Sequence, residues 1–99
     1  MTYDFVRLDK LTGDKKKYKV VLKNKQTGRE KSIKFGASGY DDFTITKNEE
    51  QKKAYLARHK SREDWTKTGV ATAGFWSKHL LWSSSSIQQS LADVKRKYF

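Results

Sequence analysis

Residues 15–36, KKKYKVVLKNKQTGREKSIKFG, alternate apolar and polar side chains about a glycine-containing turn. That alternation restricts the fold more than any other feature of the chain. Tyr18, Val20 and Leu22 alternate with Lys17, Lys19 and Lys23; beyond the turn, Ile33 and Phe35 alternate with Ser32 and Lys34. Successive side chains of a strand point to opposite faces, so a period of two gives one apolar face and one face ridged with lysines. Residues 15–36 are therefore predicted as a β-hairpin. Residues 3–11, YDFVRLDKL, are expected to form a preceding strand, joined by a turn at 12–14. An apolar sheet face needs a second layer, and the rest of the chain must supply it.

The spacing beyond residue 36 is helical. A glycine- and aspartate-rich loop at 36–42 leads to FTIT, 43–46, read as a short extended piece. Thr46 lies three residues before Glu49, the pattern of a capping box, and opens a highly charged helix over 47–64. Its apolar stripe is narrow: Ala54, Tyr55, Leu56 and Trp65, with His59 one turn beyond Tyr55. Residues 66–72 break the helix, and Thr72 caps the next. There Phe75, His79 and Trp82 fall at i, i+4 and i+7, beside a row of Trp76 and Leu80 that Leu81 widens. Four serines at 83–86 form a linker, and Ser86 with Gln89 makes a second capping box. Ile87, Leu91, Val94 and Tyr98 then make a single helical stripe, with Lys95, Arg96 and Lys97 suited to the helix C-terminus. The expected fold class is α+β: a small antiparallel sheet, the N-terminal hairpin with a possible third strand, followed by three α-helices. One domain is expected over 1–99, with a basic β-rich part at 1–46 and a helical part at 47–99.

Charge narrows the partners. Twenty-two basic and eleven acidic residues give a net charge of +11 over 99 residues. Residues 1–36 carry a net +7, residues 37–64 balance, and residues 65–99 carry +4. Such a chain is drawn to polyanions or acidic protein surfaces. No apolar run approaches the ~20 residues of a transmembrane helix, and the first ten residues lack the apolar segment of a secretory signal; a soluble intracellular chain is expected. The absence of cysteine removes disulfides, thiolate chemistry and cysteine-bound zinc.

The candidate polyanion-binding residues are Lys15, Lys16, Lys17, Lys19, Lys23, Lys25, Arg29, Lys31 and Lys34, nine cations in twenty residues with a single glutamate among them. A charged sheet face that only keeps the domain soluble is the plain alternative. Phe75, Trp76, Leu80 and Leu81 are expected in the core. Trp65 and Trp82 are expected to stay partly exposed and, with Arg58 and Arg62, to form a partner-binding surface. A membrane surface would need a strongly basic face opposite the aromatics, and Ser77, Lys78 and His79 do not supply one. His59 and Glu63 are four apart, yet a metal would lack a distinct third ligand. Both histidines are read as packed or hydrogen-bonded beside aromatic rings. No P-loop, dinucleotide fingerprint, nucleophile elbow or spaced carboxylate pair is present. No cofactor and no catalytic residue is expected.

Tyr55, Arg58-His59, Arg62-Glu63 and Trp65, then Thr72 to Trp76 and Leu80-Leu81-Trp82, give residues 36–99 a resemblance to a family. These are short basic proteins encoded by large double-stranded DNA viruses of algae and amoebae, a family without an assigned activity. Four serines stand here where relatives tend to include a proline. The resemblance implies a virion setting, with host cytoplasm during assembly. Two roles fit: a minor capsid protein bridging larger viral coat proteins, or a protein that binds the genome, DNA or RNA, through the lysine-rich hairpin.

Overall fold

The computed structural model describes residues 3–39 and 41–99; Met1, Thr2 and Tyr40, the last within the loop expected at 36–42, lie outside them. The fold is α+β, with a three-stranded antiparallel sheet followed by helices. Strands β1 (Tyr3–Lys10), β2 (Lys16–Asn24) and β3 (Glu30–Ala37) lie in sequence order, so β2 is central. Phe5 pairs with Leu22, Leu8 with Val20, Val20 with Ile33 and Tyr18 with Phe35, which gathers the apolar residues on one face. Phe5 and Leu8 are three apart and would face opposite sides of a regular strand. A shift in register between Phe5 and Arg7, where Val6 is the extra residue, keeps both on the inner face. Buried Asn24 ends β2 and accepts hydrogen bonds on Oδ1 from the Gln26 and Thr27 amides, which fixes the hairpin turn.

The outer face is less polar than the alternation suggests. Val21, in the middle of β2, is buried although it points away from the core, in register with Arg7 and Ser32. Lys19 and Lys23 flank it along the strand, and their aliphatic stems are the kind of surface that covers such a residue.

Helical structure starts earlier than expected. FTIT is the short helix α1 (Phe43–Thr46), not an extended piece, because Asp42 caps it by accepting the Thr44 amide at 2.9 Å. Asn48, not Thr46, then caps α2 (Glu49–His59), accepting the Glu50 and Gln51 amides. Helix α2 stops at His59, short of the expected 64, where the Arg62 amide turns back to the His59 carbonyl. Asp64 collects the Thr66 amide and the Thr66 and Thr68 hydroxyls, and a 3-10 turn follows at Lys67–Gly69. Thr72 caps α3 (Ala73–Trp76), which runs directly into a π turn, Ser77–Leu81. Ser86 caps α4 (Ile87–Tyr98) through the Gln89 amide, as its sequence position predicts.

Helix α3, the π turn and α4 cover the sheet. Val20, Leu22, Ile33, Phe35, Val70, Phe75, Trp76, Leu80, Leu81 and Val94 form one buried cluster, with Ile87, Leu91, Tyr98 and Trp82 packed at its margin. Trp76 lies within ring-contact distance of Phe5, Phe35, Phe75 and Phe99, and its indole N–H donates to the Val70 carbonyl at 2.7 Å. A buried indole with its donor satisfied keeps its apolar gain without a polar cost. Gly36 has a positive φ of 75°, and a Cβ there would meet Leu81 Cδ1 at 2.7 Å; glycine lets the π turn rest on β3. Among the described residues, no helix is long and apolar enough to cross a membrane.

Candidate functional site

A cleft of about 650 Å³ opens between one end of the sheet, α2 and the α3–π turn segment. Its wall holds a column of three stacked rings. Tyr55 is the middle member, 4.2 Å from the His59 ring and 4.4 Å from the Trp82 ring, the latter at an interplanar angle of 6°. Tyr55 and His59 are one turn apart on α2, and Trp82 arrives from the end of the π turn, so the column fastens α2 to the rest of the fold. Tyr55 is the only buried residue of α2.

Glu63 closes the column at the histidine end. Its carboxylate accepts from His59 Nδ1 at 3.1 Å and from the Trp65 indole N–H at 2.9 Å. A Cβ on Gly74 would lie 2.8 Å from the Glu63 carboxyl carbon, so the side chain sits directly on the start of α3. At the sheet end, Lys17 donates to Asp42 at 2.6 Å, with side chains only 16% and 3% exposed. Asp42 also holds the Thr44 amide and the Thr44 hydroxyl. Burial, and secondarily the Glu63 charge, push the Tyr55 hydroxyl up to about 12, so it stays protonated at neutral pH.

The carboxylates of Asp42 and Glu63 are thus committed to internal partners. The uncommitted charges on the cleft wall are the exposed Lys16, Arg58 and Asp41, none of which has an ion-pair partner among the described residues. Two cations and one anion leave the opening mildly positive beside the half-exposed Trp82.

The partner-binding residues expected from sequence divide here. Arg58 and Trp82 line the cleft together. Trp65 stands behind Glu63, with the Lys78 ammonium 5.5 Å from its ring centroid, and does not line the cleft. Arg62 is exposed, and its Nε donates to the Arg58 carbonyl. His79 is set apart from the cleft, with Nε2–H donating to the Trp65 carbonyl at 2.9 Å and its ring against Phe75 and Tyr98. Burial lowers its pKa.

The nine cations of residues 15–34 do not form one ridge. Lys19, Lys23 and Lys34 share the outer face, whereas Lys31 pairs in register with Leu22 and belongs to the other. Lys25 and Arg29 sit on the turn, Lys15 precedes β2, Lys16 lines the cleft and Lys17 is drawn into it. Acids from outside the sequence window also reach them: Lys17 to Asp42, Lys19 to Asp9 at 3.8 Å, Lys25 to Asp4 at 3.3 Å, and Lys34 to Asp14 at 2.9 Å. Lys15, Lys16, Lys23, Arg29 and Lys31 have no carboxylate in salt-bridge range among the described residues.

The i, i+4 spacing places His59 beside Tyr55, as expected from the sequence. Sequence reading missed that Trp82 completes the column, and it missed the Lys17–Asp42 pair; twenty-five residues separate Lys17 from Asp42, and no local pattern marks them. Residues 6–59 match a family of unknown function, DUF5754, and with more than half of its length matched the chain belongs to that family. The match spans most of the sheet together with α1 and α2, and so overlaps only residues 36–59 of the stretch that carries the viral resemblance. No curated protein and no solved structure matches the chain.

Proposed function

We propose that this member of the family is a non-enzymatic docking protein that seats an acidic segment of a larger protein in the cleft beside α2. The observation that carries this reading is the commitment of buried Asp42 and partly buried Glu63 to internal bonds, which leaves Arg58, Lys16 and the edge of Trp82 to meet a partner. The same commitment supports a non-catalytic role. Glu63 is held by two donors, Asp42 by three, and Tyr55 keeps its proton, so none of them is poised to move one. On the sequence resemblance, the larger partner is a viral coat protein and this chain a minor capsid component, assembled in the host cytoplasm and carried in the virion.

Co-sedimentation with purified coat-protein shells emptied of genome tests the proposal. Stoichiometric recovery, lost in Arg58→Glu and weakened in Trp82→Ala, is the expected result. Recovery that needs the genome would overturn it. That second outcome belongs to a nucleic-acid-binding role, which draws support from Lys15, Lys16, Lys23, Arg29 and Lys31, all exposed and without acidic partners among the described residues. Phosphate neutralisation requires cations of this kind.

A further inference from the structure

Strand β3 ends the sheet on one side, and among the described residues no fourth strand covers its outer edge. The backbone groups it presents there follow from the register. The Asn24 amide donates to the Arg29 carbonyl, and the Leu11 amide to the Lys17 carbonyl, both at 2.8 Å. Bonded and non-bonded pairs alternate along an antiparallel ladder, so even-numbered β2 residues bond to β3 and odd-numbered ones to β1. Val20 and Leu22 thus bond to Ile33 and Lys31, whereas Glu30, Ser32 and Lys34 turn their N–H and C=O groups outward. All three residues are exposed. The opposite edge differs, because the bulge at Val6 interrupts β1. Strand β3 keeps an unbroken register with β2 from Glu30 to Phe35.

Charge says what kind of strand fits that edge. Glu30 is the single acid among the cations of residues 15–34, yet among the described residues it has no cation in salt-bridge range. Lys34 lies four residues further along the same face of β3. We propose that β3 pairs antiparallel with β3 of a second copy of this chain, about a two-fold axis at Ser32. In that register Glu30 of each copy stands opposite Lys34 of the other, and the outward backbone groups of residues 30, 32 and 34 pair across the axis. Lysines on an edge ordinarily keep other strands away; here the facing glutamate turns that repulsion into attraction. Lys34 also donates to Asp14 at 2.9 Å, and its ammonium has donors to spare. Lys31 falls opposite Ile33 on the inner face, where its aliphatic stem lies against an apolar neighbour. The paired stretch stops short of Phe35, Gly36 and Ala37, which line the cleft, so the pair carries two clefts, one on each copy.

Sedimentation equilibrium of the intact chain at about 150 mM salt tests the pairing. The Debye length of about 8 Å there screens the bulk of the charge on the two copies but not a contact pair. The expected result is a concentration-dependent rise from the 11.5 kDa monomer to twice that mass. Glu30→Lys and Lys34→Glu each set like charges opposite one another, and each should weaken dimerisation by roughly tenfold or more. An equimolar mixture of the two variants should recover the dimer, because each copy then supplies the charge that the other lacks. A variant that had merely failed to fold would not be recovered by mixing, so lost pairing is separated from lost folding. A chain that stays monomeric at every concentration would overturn the proposal. So would a dimer that survives both charge reversals, which must use another surface, or a mixture of the variants that stays monomeric.

Discussion

Glu63 joins three segments: the end of α2 through His59, the loop through Trp65, and the start of α3 through Gly74. A methyl at Gly74 would push the flexible Glu63 carboxylate off His59 and Trp65. The gain of about 0.5–1 kcal/mol of alanine over glycine in a helix partly offsets that loss. Glu63→Ala should therefore lower stability more than Gly74→Ala. Urea unfolding should show this as a lower midpoint for Glu63→Ala at unchanged m. Lys17 makes a comparable point at the sheet end. Its bond to a nearly buried Asp42 should make Lys17→Met more costly than Lys34→Met, whose partner Asp14 stands in solvent. His79 gives a pH test. Burial depresses its folded pKa below the ordinary imidazole value of about 6.5, so between those two values the unfolded chain binds more protons. Stability should therefore fall as the pH drops below about 6.5, levelling once the folded imidazole itself protonates. His79→Gln should flatten that part of the pH profile of the melting temperature.

Helix α2 buries one side chain, Tyr55, so its hold on the fold rests on the ring column, the Asn48 cap and the Lys52 ammonium, which donates to the Ser83 carbonyl at 2.6 Å. Its amides should exchange with deuterium sooner than those of β2, which lie in the middle of the sheet. Asn48→Ala should cost roughly 1 kcal/mol and widen that gap. The elements legible in the sequence were those with clean periods. Strands β2 and β3 alternate, and α4 carries a single stripe with its cap at Ser86. Strand β1 was harder to read because Val6 breaks its alternation. FTIT misled because two threonines and an isoleucine favour extended backbone, while the Asp42 cap that overrides them stands one residue outside. Helix α2 gave no stop signal, since neither glycine nor proline occurs between 57 and 66. The π turn has no sequence signature, yet it sends Trp82 into the cleft and Lys78 over the Trp65 ring.

Across the whole molecule, the charge count was legible and its placement was not. Nine cations adjacent in sequence are spread by the hairpin over two faces, a turn and a cleft, and four of them meet aspartates from β1, the 12–14 turn and the α1 cap. Of the candidates Arg58, Arg62, Trp65 and Trp82, the fold brings Arg58 and Trp82 to one cleft. Their neighbours Tyr55, His59 and Glu63 entered the site only through tertiary contact. Docking on an acidic protein surface requires little affinity for a phosphate backbone, so the first measurement is duplex DNA binding by fluorescence anisotropy between about 50 and 200 mM salt. Weak binding, with a slope matching two or three neutralised phosphates at most, agrees with cations divided among separate surfaces. Tight binding with a slope of about six or more, reduced by Lys23→Glu and Lys31→Glu but not by Trp82→Ala, would contradict the docking role and assign the charge to a genome.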